Sequence, residues 1–518
     1  MAIRISNLRL GLDEPEAALG EHIARVLGLH AAALGSWRIL RKSLDARVKE
    51  SFHFVYTAEV QPLDDETQLI TRAARRRHGE VRVEHYQEPP FALPPHGSLP
   101  LEQRPVVIGS GPAGLVAGYF LAAAGYQPLV VERGRGVRER IHDVHRFDAG
   151  GPLEPESNYL FGEGGAGTFS DGKLTCRSSG PEVRRVLELF AECKGKPSIL
   201  YDYRPHLGSN RLPAVVKAIR RRIEGLGGEI RFSCRVEDLD LGPAGDVRGL
   251  ATSSGYIPAR VALLAIGHSA RDTLTMLERR GVPMVQKPFQ IGVRIEQPQE
   301  VVNRVKYGAA HLEEKLGAAD YNLVARGPHD LFSFCMCAGG HIIPSVSEEG
   351  FFCTNGMSLS GRASPFANSG LVVTVPVEHF AGTDVLAGVR LQATYERRAY
   401  ELGRGDYLCP IQGAKDFLAW RPTRGLPPCS YPRGLVLADM ADLVPPVILE
   451  ALTHGLPLLD RRWHGRFLEE ATLAGPEARG SCPIRMLRDP QTREAPGIAG
   501  LYPVGEGAGY AGGIVSAA

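Results

Sequence analysis

Four stretches of this sequence carry residues whose types and spacing suit nucleotide or redox chemistry. In VVIGSGPAGLVAGYFLAAAGYQPLVVERG, residues 106–134, Gly109, Gly111 and Gly114 stand in G-x-G-x-x-G spacing. The first makes a tight turn, the second bares the backbone where a pyrophosphate approaches, and the third lets a helix lie close to its strand. Glu132 ends the next apolar run, where a carboxylate accepts hydrogen bonds from adenosine ribose hydroxyls and repels a 2′-phosphate, which selects FAD or NAD over NADP. FGEGGAGTFSDGKL, residues 161–174, interleaves glycines with Thr168, Ser170, Asp171 and Lys173, which are donors and one cation for a polar ring edge. Near the end, YPVGEGAGYAGGI sets Glu506 after Gly505, placed to accept from a polyol hydroxyl, and a helix is expected to open at about Gly512 with its N-terminus toward an anion. The fourth stretch, FSFCMCAGGHI, holds Cys335, Cys337 and His341.

Three glycine-rich segments, the last more than 300 residues beyond the other two, imply one ligand longer than a mononucleotide. Cys335 and Cys337 would share a face of an extended strand. A disulfide between them would close a strained ring, and no second pair completes a zinc site, so buried small side chains or ligand-adjacent thiols are the two readings and no metal is expected. Arg294, His341, Asn355 and Arg362 fall at strand ends or turns and are candidates for substrate contact, and Lys173 and the helix start at Gly513 are candidates for a positive field. His268, after Gly267, reads as a positional or capping residue.

These residues need scaffolding, and the chain is long enough to supply it. Its 518 residues are 43% apolar and 23% charged with a formal charge of +2, which suits two or three soluble domains and gives no global attraction to nucleic acid or acidic membranes. No run is long enough to span a bilayer and the start has no secretion-signal core, so a cytoplasmic protein is expected. Nine scattered cysteines suit free thiols in a reducing compartment. Residues 1–86 read as a small α+β domain and 87–104 as a proline-rich linker. Residues 105–274 form the first part of a nucleotide-binding domain, 275–475 an inserted, largely antiparallel substrate domain, and 476–518 the return. The basic run Arg72, Arg75, Arg76 and Arg77 lacks interleaved aromatics and reads as a solvated helix face. The N-terminal domain reads as an interaction or lid element of unknown partner. The last helix is short, so the natural chain is expected to continue past Ala518 or to be covered by a partner there.

The segments VVIGSGPAGLVAGYFLAAAG, FGEGGAGTFSDGKL, LLAIGHSARDT, KPFQIGVRIE, FSFCMCAGGHI, TNGMSLSGR and YPVGEGAGYAGGI span residues 106–514. In them the chain resembles the FAD-dependent dehydrogenases that carry a small N-terminal domain, within the two-dinucleotide-binding-fold flavoproteins related to glutathione reductase and p-hydroxybenzoate hydroxylase. The resemblance implies an α/β, Rossmann-like FAD-binding domain with non-covalent FAD. It puts Gly109, Gly111, Gly114 and Glu132 on the ADP half and Gly505, Glu506, Gly512 and Gly513 beside the ribityl chain and flavin. The expected cofactor set also includes Ser110, Pro112, Ala113, Arg133, Gly164, Gly165, Thr168, Ser170, Asp171, Gly172, Lys173, Val236, Gly267 and Ile514. Lys173, Arg294, Cys335, Cys337 and His341 are the catalytic candidates. Ala338 stands where the family pattern has proline.

No second strand-GxGxxG-helix unit follows, so NAD(P)H is expected only as a transient donor, or the substrate is itself the donor. The expected reaction is hydride transfer between flavin N5 and a small organic molecule. The alternatives are an NADPH-dependent flavin monooxygenase and an RNA-directed flavoprotein that uses the basic N-terminal unit.

Overall fold

The computed structural model describes residues 2–48, 51–76, 79–98, 100–309, 311–380 and 382–518. Arg77 of the basic run lies outside them. At the centre is a five-stranded parallel sheet in the order Leu501–Pro503, Ala262–Leu264, Val106–Ile108, Leu129–Val131 and Glu229–Arg231. Its three inner strands are short apolar runs because both faces are covered. The helix Pro112–Ala123 packs close to them, and its glycines set the distance. A Cβ on Gly114 would stand 1.8 Å from the Gly109 carbonyl oxygen, and one on Gly118 would stand 2.9 Å from Val130 Cγ2. The turn into this helix needs glycine at 109, where φ is +102° and a Cβ would meet the Ala265 carbonyl oxygen at 2.4 Å.

Between the Ala262–Leu264 and Leu501–Pro503 strands the chain builds a seven-stranded, mostly antiparallel sheet. Its middle strand, Phe289–Pro298, pairs with Phe366–Val375 on one side and Thr472–Glu477 on the other. The expected domain boundary at 475 therefore falls inside a strand, and the return to the nucleotide-binding sheet begins after Glu477. The helix Pro446–Arg462 buries Ile448, Leu452, Leu456 and Leu459 in the same core cluster as Val293, Ile295 and Leu331 of the sheet. Leu331–Cys337, the strand that carries both candidate thiols, pairs with Phe366–Val375 until Phe334 and again at Cys337, with a register shift between.

The N-terminal residues form a four-stranded antiparallel sheet, Ser36–Asp45, His53–Gln61, Ala2–Gly11 and Arg82–Tyr86 in spatial order. The helix Leu19–Leu27 buries Leu19, Ile23, Val26 and Leu27 on it. The helix Glu66–Arg76 turns Arg72, Arg75 and Arg76 outward. The edge strand Ser36–Asp45 docks onto the nucleotide-binding part: Lys42 N–H donates to the Tyr201 carbonyl at 2.7 Å and Tyr203 N–H to the Lys42 carbonyl at 2.8 Å. Arg41 covers the Tyr203 ring at 4.3 Å. An exposed edge is thus capped within the same chain. All nine cysteines are free, and among the described residues no helix is long and apolar enough to cross a membrane.

Candidate functional site

One cavity of about 430 Å³ lies where the glycine-rich segments converge, within the roughly 300–1,000 Å³ of ordinary ligand pockets. Its wall includes Gly109, Gly111, Pro112 and Ala113 at the helix start, and Glu132 and Arg133 after the next strand. Gly165, Ser170, Asp171, Gly172 and Lys173 come from the second segment, Val236 and Gly267 from the middle, and Gly505, Glu506, Gly512, Gly513 and Ile514 from the end. No side chain caps the Pro112–Ala123 helix, and the nearest atom to a Cβ on Gly111 would be Gly165 Cα at 3.9 Å. Bare backbone and an open helix N-terminus are what a pyrophosphate requires.

Glu132 holds this floor together. Its Oε2 accepts from Ser110 N–H at 2.8 Å and Ser110 Oγ at 2.7 Å, and its Oε1 from Gly134 N–H at 2.9 Å and Gly162 N–H at 3.1 Å. The carboxylate expected to serve ribose hydroxyls thus directs its lone pairs to protein donors, tying the GxG turn to the 160s loop. Beside it Arg133 is fixed by Glu156 at 2.6 Å and Asp272 at 2.9 Å and stacks over Phe161 at 4.1 Å.

Glu506 has the opposite situation. Its Oε1 is buried in the cavity wall without a partner, and burial pushes the carboxyl up to about 7 against the opposing field of Lys287. An orphaned acceptor in this position fits a hydroxyl-rich ligand. A raised folded value means stability fully present below the ordinary carboxyl range and lost as pH rises through about 7 in the FAD-free protein. A hydroxyl that donates to the ionised form reverses that preference. FAD affinity is therefore expected to rise with pH up to about 7 and then level off, with Glu506→Gln flattening the profile. Titrations of FAD fluorescence from pH 5.5 to 8.5 check this.

Lys173 reaches into the cavity with its Nζ on the Met336 carbonyl oxygen and 2.5 Å from Asp171 Oδ2. Burial opposes its charge, but Cys337, Cys335 and Asp171 together raise it above the ordinary ammonium value, so it stays cationic. Asp171 also accepts from Ser358 and lies 3.4 Å from His206 Nε2. His268 lines the cavity with Nε2 2.8 Å from the Arg479 carbonyl; burial and then Arg479 push it down to about 4, so it is neutral and its Nε2–H donates.

Several expected residues lie elsewhere. Arg294 does not face substrate: it is fully buried, pairing with Glu477 at 2.6 Å, Asn368 Oδ1 at 2.9 Å and the Cys335 carbonyl at 2.9 Å. Its strand is covered on both faces, so the polar positions of the alternation are interior too. His341 sits in the Gly340–Pro344 hairpin opposite Met357, outside the cavity wall. Cys337 is buried behind the wall and Arg362 lies 3.9 Å from Asp171, whereas Cys335 and Asn355 do line the cavity. Ser110, Gly114, Gly164 and Thr168 shape the floor without lining it; Thr168 Oγ1 donates to the Glu163 carbonyl at 3.0 Å. The helix expected to open at about Gly512 begins at Ile514, with Gly513 as its N-cap. Sequence reading missed Phe161, Phe334 and Arg479 in the wall. Phe161 opens the glycine-rich segment and was findable there, but nothing local marks Arg479.

Residues 288–480 match the C-terminal domain model of an FAD-dependent protein, residues 107–165 an NAD(P)-binding Rossmann-like domain, and residues 2–61 a domain of unknown function. An uncharacterized protein of Clostridium beijerinckii (strain ATCC 51743 / NCIMB 8052) is 39% identical over 523 residues, covering 100% of this chain and 97% of that one. Among solved structures, L-proline dehydrogenase from P. horikoshii is 12% identical over 81% of this chain and 91% of its own, with a TM-score of 0.34. CtdE in complex with FAD is 13% identical over 79% and 78%, with a TM-score of 0.31. With its Rossmann-like sheet, its glycine-lined cavity and its matched domains, the chain belongs to one family with the Clostridium protein, its C-terminal domain is that of an FAD-dependent protein, and FAD is its cofactor.

Proposed function

We propose that this protein is an FAD-dependent dehydrogenase or reductase that passes a hydride between flavin N5 and a small organic molecule. One observation carries the reading: glycine-rich backbone forms part of the cavity wall, and Phe334, Cys335 and Asn355 from the inserted domain, with Arg479 just after its last strand, form another part. FAD, when bound, supplies the two-electron acceptor or donor. The chain orients the reactants, shields them from water and keeps a fixed ammonium, Lys173, where negative charge would otherwise go unbalanced. Asn355 offers a polar contact and Phe334 an apolar one to a substrate between the sheet and the cofactor. The reading needs a small-molecule substrate, with transiently bound NAD(P)H or the substrate itself as donor, and it calls for no nucleic acid or membrane.

The test is anaerobic reduction of the FAD-loaded protein by NADH, NADPH and a panel of small hydroxy, amino and enone compounds, followed at the flavin absorbance band. Bleaching by one of them without oxygen is the expected result. Reduction that occurs only with NADPH, followed by substrate-dependent oxygen uptake, would replace this reading with a monooxygenase.

A further inference from the structure

We propose that Cys335 is a nucleophilic thiolate in the wall of the FAD cavity, paired with Lys173 and open to soft carbon electrophiles small enough to enter; its shielding by FAD rests on the cofactor reading above.

The geometry begins with the register shift in the Leu331–Cys337 strand. Pairing with Phe366–Val375 stops at Phe334 and resumes at Cys337, and in the bulge Cys335 takes a φ of +43°, in the left-handed region. Bulges re-aim side chains. This one breaks the alternation that would put the two thiols on one face: Cys335 lines the cavity, while Cys337 is buried with Sγ 3.2 Å from the Cys335 carbonyl oxygen. Lys173 anchors on the carbonyl of Met336, the residue between them, so its ammonium is fixed beside the bulge.

The charged groups around the pair come from five segments of the chain. Lys173 and Asp171 belong to the glycine-rich segment, and Asp171 is in turn engaged by Ser358 and approached by His206 at 3.4 Å and Arg362 at 3.9 Å. Arg294, from the middle strand, donates to the Cys335 carbonyl at 2.9 Å and lies 3.8 Å from Cys337 Sγ. Its partner Glu477 is pushed up to about 7 by burial, which weakens the negative charge behind the bulge. Hydrogen bonding by Cys337 leads, and with Lys173 and Arg294 it outweighs burial and brings the Cys335 thiol down to about 6, whereas burial pushes Cys337 well up. A partly exposed thiol in such a field is the reactive kind, and its buried neighbour is inert.

Iodoacetamide is the probe. The sulfur forms a bond to the CH₂ carbon and iodide leaves with the C–I electron pair, so no oxidant or proton donor is needed. Labelling rates are followed residue by residue by peptide mass from pH 5 to 9, in protein with FAD bound and after its removal. The expected result is a Cys335 midpoint near 6 in the FAD-free protein, slowing of about tenfold or more when FAD is bound, and no Cys337 label until unfolding. Lys173→Met is expected to raise the midpoint, with folding checked by circular dichroism, and the wild-type profile carries the test if that variant does not fold. A midpoint at the ordinary thiol value of roughly 8.5, or Cys335 labelled no faster than Cys337, would overturn the thiolate. Equal rates with and without FAD would overturn its place in the cofactor cavity. The readout needs no turnover, so it can fail while flavin reduction by a small molecule succeeds, and the reverse.

Discussion

Replacing Glu132 with glutamine is expected to strip FAD from the protein. Four donors converge on this carboxylate, and two of them, Ser110 N–H and Oγ, share one oxygen. A glutamine keeps one acceptor oxygen and turns an NH₂ toward the other pair. If the NH₂ faces Ser110, the hydroxyl can rotate to accept but the backbone N–H cannot, and if it faces Gly134 and Gly162, two N–H groups lose their acceptor. Each unpaired buried N–H costs about 1–3 kcal/mol, and the remaining bonds lose their charge assistance. The affected backbone is the cofactor floor, so the loss should appear in binding: a rise of roughly 100-fold in the Kd for FAD, about 2.7 kcal/mol. Ser110→Ala removes one donor and leaves the carboxylate, so its effect should stay below about tenfold. Fluorescence titration of the stripped protein measures both, and a Glu132→Gln protein that holds FAD as tightly as the wild type would show that the floor does not depend on this hub.

The second large effect is on stability. Glu396, fully buried in the helix Ala387–Leu402, accepts from Arg271 at 2.9 Å and takes Arg479 in a two-pronged pair at 2.9 and 2.8 Å. Burial opposes its ionisation, but the two guanidiniums hold it down to about 2. The contribution of a depressed carboxyl is present above its unfolded value and is lost as pH falls toward about 2. Glu396→Gln takes from buried Arg479 its directly paired carboxylate and leaves Arg271 with Glu348 at 3.6 Å, which costs roughly 3–5 kcal/mol. Arg479 lines the cavity and its carbonyl accepts from His268, so the disturbance reaches the cofactor wall. Thermal melts with and without FAD should show a large drop in the midpoint, partly restored by FAD. An unchanged melt at neutral pH would mean that the triad contributes no net stability.

The contrast between these two sites shows what the sequence could reveal. The cofactor floor depends on local requirements. A turn at φ +102° and a helix on which an added Cβ would stand 1.8 Å from a carbonyl oxygen can be met only by glycine, so the requirement is written in residue type. Strands such as Val106–Ile108, Leu129–Val131, Phe289–Pro298 and Phe366–Val375 were legible for a similar reason, since short apolar runs and period-two alternation are local patterns. Arg294 shows where that stops. Alternation in FQIGVRIE distinguishes two faces, but not a wet face from a second dry one, and here both are covered, so an apparent substrate contact became a buried ion pair. The bulge at Cys335 depends on the register between strands whose sequence separation is more than 30 residues, and Arg479 reaches the cavity only because the Thr472–Glu477 strand joins the inserted sheet. Those are properties of pairing, and no single segment encodes them.

The central claim is that backbone from three distant segments closes around one elongated cofactor. Reconstitution measures it directly: the stripped protein is titrated with FAD, separated from free ligand, and the bound flavin is released with acid and identified by chromatography. One intact FAD per chain, released without covalent residue, is the predicted result. Protein that stays colourless after reconstitution, with no flavin in the acid extract, would contradict it.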